Sequence, residues 1–131
     1  MKYLLALIGD ESRYADRTPE QMREGMKEWD AFTRATTDGG AFVAGEGLQP
    51  SATATTVKIQ EAGEPIVTDG PFAETKEQLG GFYLLECEDL DGALTWAKRI
   101  PWPGGSVEVR PVMDYEAAGS ETHTNQVEAA R

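Results

Sequence analysis

Tyr3-Leu4-Leu5-Ala6-Leu7-Ile8 is apolar at every position, with no polar residue to mark an outer face. A strand of this kind has to be covered on both sides. Gly81–Glu88 carries the same message, because alternation sets Phe82 and Leu84 on one face and Tyr83, Leu85 and Cys87 on the other. Ala41–Leu48 and Ser106–Val112 read as two further strands. Thr18-Pro19-Glu20-Gln21 reads as a helix start, with Thr18 as N-cap, Pro19 at the first helical position and Gln21 closing a capping box. Met22, Met26, Trp29, Phe32 and Thr36 then draw one helical stripe, and Asp38-Gly39-Gly40 ends it. Asp89 caps a second helix, striped by Leu90, Ala93, Leu94, Ala97 and Ile100 and stopped by Pro101.

Between these halves lies an insert. Thr53–Gln60 alternates Thr53, Thr55, Val57 and Ile59 against more polar neighbours, as a half-buried strand does. Glu61-Ala62-Gly63-Glu64 turns, Pro65–Thr68 returns as a short strand, and Asp69-Gly70-Pro71-Phe72 is a dense turn signal. Ala73–Gly80 is predicted to form a turn of helix. The order strand-helix-strand, hairpin, strand-helix-strand predicts an α+β, ferredoxin-like βαβ…βαβ fold with an antiparallel sheet and both helices on one face. The opposite face then needs a cover, and a second copy of the chain is the economical one. The alternative is cover by the hairpin and tail of the same chain. An interface of about 800 Å² per partner represents on the order of 20 kcal/mol gross, before large association and ordering costs.

The chain has 131 residues, 12 Lys+Arg against 23 Asp+Glu and a net charge of −11. That length suits one domain, expected over residues 1–113, followed by a polar tail over 114–131. About two-thirds of the unfolded surface can be buried at this size, so a core forms without disulfide or metal. A pI near 4.4 argues against a nucleic-acid partner and against docking on anionic lipid. The single cysteine, Cys87, allows no intrachain disulfide, and the apolar run at the N-terminus is short for a secretory leader or a membrane span; a cytoplasmic protein is expected. One histidine, His123, lies in the tail. Metal sites built on Cys/His clusters are therefore not expected, and a Ser-His-Asp triad would require the tail to fold back. The sequence has no Gly-rich phosphate loop, and Gly45-Glu46-Gly47 reads as a bulge or bend. No cofactor is expected.

The residues that could carry chemistry each have a structural reading beside the functional one. Asp69 in Asp69-Gly70-Pro71-Phe72 explains itself as a turn residue, capping its own turn while Gly70 takes a positive φ. Functionally, the turn could present Asp69, Glu74 and Lys76 to one cavity. Glu46, a lone acid among Ala44, Gly45, Gly47 and Leu48, is the candidate for a buried, base-competent carboxylate, or else an edge-strand charge facing water. Glu108 and Arg110 share a strand face, opposite Val107 and Val109. If that face is the dimer interface, Arg110 needs a carboxylate, from Asp69 or Glu46, or serves as a fork for a substrate carboxylate or phosphate. Trp29 reads as core or as a pocket wall, and Trp102 as a pocket lid or an edge cover. Cys87 between Glu86 and Glu88 reads as an inert thiol.

Val67-Thr68-Asp69-Gly70-Pro71-Phe72-Ala73-Glu74-Thr75-Lys76-Glu77, followed by Leu79-Gly80-Gly81-Phe82-Tyr83, resembles the signature of DGPF-domain proteins in the YCII-related family. Gly45-Glu46-Gly47-Leu48, Asp91-Gly92-Ala93-Leu94-Thr95-Trp96-Ala97 and Val107-Glu108-Val109-Arg110-Pro111-Val112 agree, so the likeness covers roughly residues 1–113. The resemblance implies a dimeric α+β barrel. It brings no settled activity. The family's suspected catalytic His-Asp pair has its histidine early in the chain, where this sequence has none. Genes of this kind often lie beside extracytoplasmic-function sigma factors, which implies a regulatory association. Two functions follow as expectations. One is cofactor-independent acid–base chemistry of lyase or isomerase type on a small anionic metabolite. There Asp69 and Glu46 handle a proton, Arg110 and Lys76 hold the anion, and Glu74, Phe72 and Trp29 border the site. The other is a non-catalytic module that binds a small ligand or a regulatory partner.

Overall fold

The structure, a computed structural model, describes residues 1–116. The remainder of the expected tail, with His123, lies outside the described residues. Six strands and two helices follow in the order β1 (Lys2–Gly9), α1 (Pro19–Asp38), β2 (Phe42–Gly47), β3 (Thr55–Lys58), β4 (Ile66–Asp69), β5 (Gln78–Glu86), α2 (Leu90–Ala97) and β6 (Gly105–Pro111). The main sheet runs β2-β5-β1-β6 with every neighbour antiparallel, while β3 and β4 form a separate two-stranded ribbon. This is the ferredoxin-like α+β arrangement, with the ribbon inserted between its halves.

Local chemistry explains the helix ends. Thr18 accepts from the Gln21 N–H while the Gln21 side chain accepts from the Thr18 N–H, closing the capping box ahead of Pro19. Asp89 accepts from the Gly92 N–H at the start of α2. Register then decides which side chains meet. On the helix side the cross-strand rows are Phe42·Leu85·Tyr3·Pro111 and Gly45·Tyr83·Leu5·Val109. Tyr3, Leu5, Tyr83 and Leu85 form the core with Phe32 of α1 and Ala93 of α2, so both helices cover one face of the sheet. Tyr83 is the hub. Trp29 stacks on it at 5.8 Å, Phe32 and Phe42 meet it edge-on, and its hydroxyl lies 2.6 Å from the Thr33 hydroxyl.

Two expectations need correction. Ala73–Gly80 forms no helix; Gln78 and Leu79 pair with Gly9 and Ile8, and this draws the stretch into β5 behind an irregular turn. The stripe on α1 is core only in its second half. Phe32 and Thr36 are buried and Trp29 partly so, whereas Met22 and Met26 are 57% and 64% exposed. A 20-residue helix spans ~30 Å, longer than a strand the length of β2 can support, and its first turns overhang the sheet.

Candidate functional site

The sheet face turned away from the helices is built from two rows: Ala44·Leu84·Leu4·Arg110 and Glu46·Phe82·Ala6·Glu108. The two central strands, β5 and β1, supply an apolar floor of Leu84, Leu4, Phe82 and Ala6. The charged residues stand on its margins, Glu46 on β2 and the Glu108–Arg110 pair on β6. Strands lie ~4.8 Å apart, so Glu46 and Glu108 are separated by about 14 Å across the sheet. Glu46 and Arg110 thus face the same floor without touching.

Arg110 donates to Glu108 at 2.6 Å, both side chains being more than half exposed. The carboxylate it finds within its own chain is thus a neighbour two residues away on the same strand, and neither Asp69 nor Glu46. An exposed pair of this type contributes little stability, leaving the guanidinium fork open to another anion. Glu46 is exposed on the edge strand, which fits the reading of an edge charge facing water and not that of a buried carboxylate. β2 has no further strand to cover it, so its outermost residues keep their water.

Asp69 ends β4, opposite Thr55, and is exposed. Its turn is held by the backbone: Gly70, at φ +106°, donates its N–H to the Ala54 carbonyl at 2.7 Å, and its own carbonyl accepts from the Thr56 hydroxyl at 2.8 Å. The Asp69 carboxylate makes no hydrogen bond or ion pair among the described residues, so the turn does not use it. Phe72 is 92% exposed, and Glu74 and Lys76 are exposed on the same loop. Lys76 lies near Asp10, not Arg110. The Asp10 carboxyl is held below its ordinary range chiefly by the Ser12 hydroxyl and N–H, with Lys76 and Arg13 adding to the effect. Trp29 packs on the helix side, across the sheet from Glu46 and Arg110, in its core role. One chain therefore does not bring the predicted site residues together. They divide among the sheet face, the ribbon, the loop that follows it and the core.

Sequence reasoning missed the contacts that fix the ribbon's base. The Glu11 carboxylate accepts from the Ser51 N–H at 2.7 Å and from its hydroxyl at 3.0 Å, while the Glu11 N–H donates to Gln78. These partners are 40 and 67 residues apart, and no local pattern signals them. Trp102 donates to the Ile8 carbonyl at 3.0 Å and packs on Tyr14 and over Gly80, so it covers the end of the sheet. Burial pushes the Tyr14 hydroxyl up from its ordinary pKa, and Glu11 and Asp10 add to the rise. Cys87 is likewise raised, by burial first and then by Glu86, in keeping with an inert thiol. An open groove of about 770 Å³ lies between residues 12–18 and the overhanging part of α1, lined by both signs of charge, including Arg13, Asp16, Arg17, Glu20 and Glu24. It shares no residue with the predicted site. Among the described residues no cluster of metal-ligating side chains occurs, and no helix is long and apolar enough to cross a membrane.

Comparison with known proteins agrees with the architecture. The YCII-related domain matches residues 1–116. A protein of Rhizobium meliloti (strain 1021), described as uncharacterized, is 40% identical over 88% of this chain and 95% of its own length. A match across all the described residues, together with that relative, leaves no ambiguity: the chain belongs to the YCII-related family.

Proposed function

We propose that this protein works as a homodimer that holds a small anionic metabolite against its sheet, with Arg110 as the anchor. One observation carries the reading: the Ala44·Leu84·Leu4·Arg110 row, an apolar floor ending in a guanidinium whose own partner is an exposed neighbour. A guanidinium fork matches a carboxylate or phosphate bidentately, and apolar cover from a second copy strengthens the pairing by excluding water. Acid–base turnover on the bound anion, of lyase or isomerase type, would fall to Asp69 or Glu46, with Lys76 and Glu74 at the margin. A carboxylate serving as a base near neutrality needs burial, and both are exposed in the single chain. The alternative is a non-catalytic ligand-binding or regulatory module, which asks no burial of either carboxylate. Association with a sigma factor rests on the resemblance alone.

Calorimetric titration with small dicarboxylates and phosphate esters tests the anchor. Arg110→Ala is expected to weaken binding by about ten- to a hundredfold, as loss of a charge-assisted bidentate contact does. Binding that is indifferent to Arg110→Ala overturns the assignment. Glu46→Gln and Asp69→Asn then separate the two grades: in an enzyme turnover collapses while affinity survives, and in a binding module only affinity changes.

A further inference from the structure

Arg110 and Glu108 are next-but-one neighbours on β6, and alternation sets both side chains on the floor side of the sheet, Arg110 opposite Leu4 and Glu108 opposite Ala6. A single hydrogen bond joins them, from Nη2 of Arg110 to Oε1 of Glu108. A guanidinium carries five N–H donors and a carboxylate two acceptor oxygens. Contact through one nitrogen and one oxygen leaves donors on Arg110 and Oε2 of Glu108 beside each other, on two side chains that solvent reaches. The strands of this face carry two other carboxylates, and neither competes for the place. Glu46 stands about 14 Å from Glu108 across the sheet. Glu86 is paired with the N-terminal ammonium.

Charge then decides what the pair accepts. A ligand carboxylate seated on the remaining Arg110 donors lies within a few ångströms of the Glu108 carboxylate, and like charges at that range repel. A lone anion therefore gains less from this pair than from a guanidinium standing by itself. A ligand with an ammonium next to its carboxylate turns the repulsion into attraction: the carboxylate takes the fork, the ammonium donates to Oε2, and both charges are matched. In an α-amino acid the two groups share one carbon, which suits two partners already within hydrogen-bond distance of each other. Its side chain then lies on Leu4, Ala6 and the floor beyond them, apolar against apolar.

We propose that Glu108 sets the specificity of this site, favouring an α-amino acid with an apolar side chain over a carboxylate that lacks the amine. The assignment rests on the Arg110 anchor proposed above and adds the chemical class of its ligand. Calorimetric titration of wild type, Glu108→Gln and Arg110→Ala with leucine and with isocaproate, the same molecule without its amine, tests it. Glu108→Gln keeps the size of an exposed side chain and removes its charge. Wild type is expected to bind leucine at least about tenfold more tightly than isocaproate, the range of one charged hydrogen bond. In Glu108→Gln leucine is expected to weaken and isocaproate to strengthen, which closes the gap to about twofold or less. A gap that survives Glu108→Gln, or a wild type that prefers isocaproate or binds neither probe, overturns the α-amino acid assignment. The anchor still stands in that event if Arg110→Ala weakens binding of the dicarboxylates and phosphate esters. Arg110→Ala that leaves every one of these ligands unaffected overturns both.

Discussion

Tyr83 shows how much one residue decides here. It sits on the strand between Phe82 and Leu84, and its ring gathers Trp29, Phe32 and Phe42 while its hydroxyl meets Thr33. Tyr83→Phe is expected to lower stability by about 1 kcal/mol in urea titration, the net value of one hydrogen bond. Burial holds the folded-state hydroxyl above its ordinary pKa. The stability from that shift is fully present below the unfolded value near 10 and is lost as pH rises through the folded value. The gap between wild type and Tyr83→Phe should therefore narrow above about pH 10. Asp10 has the opposite sign. Its carboxyl is depressed, so its contribution is present above the ordinary carboxyl pKa and is lost as pH falls through the folded value. Asp10→Ala is expected to flatten the acid limb of a stability–pH profile, and an unchanged limb would mean that Ser12 holds nothing.

Among the elements, α1 and the ribbon behave in opposite ways. The capping box makes the start of α1 legible from Thr18 to Gln21, and Thr18→Ala should cost about 1 kcal/mol, read from the denaturation midpoint. The stripe that begins at Met22 is less informative, because periodicity reports which residues share a face and not how far the supporting sheet extends. At the edge of the sheet, a Cβ on Gly81 would stand 2.7 Å from the Glu46 carbonyl. Gly81→Ala is thus expected to loosen β2 from β5, seen as faster amide exchange along Phe42–Gly47 than along β1. For the ribbon, Glu11→Ala removes both contacts to Ser51. Limited proteolysis should then cut sooner between residues 51 and 70, with the sheet core unaffected; equal cleavage would show that the ribbon's base is held elsewhere.

For the whole molecule the question is what lies against the second face of the sheet. If folding and pairing are linked, the melting temperature should climb with protein concentration between about 1 and 100 μM, since mass action favours the associated state; a flat series counts against the dimer. The sequence by itself determined the α+β class, the succession of strands and helices along the chain with its insert, both helix caps and the two-sided greasiness of β1 and β5. These follow from periodicity, from capping chemistry and from turn residues such as Gly70, all of which act over a few neighbouring positions. It also picked out Asp69, Glu46 and Arg110 as residues without an obvious core role. Only the tertiary structure decided that Glu46 stays wet on an edge strand, that Arg110 meets Glu108, that Trp29 belongs to the core and that Glu11 ties down Ser51. Those outcomes depend on register and on contacts between residues far apart in the chain, and alternation along one strand carries no information about what its neighbours place beside it.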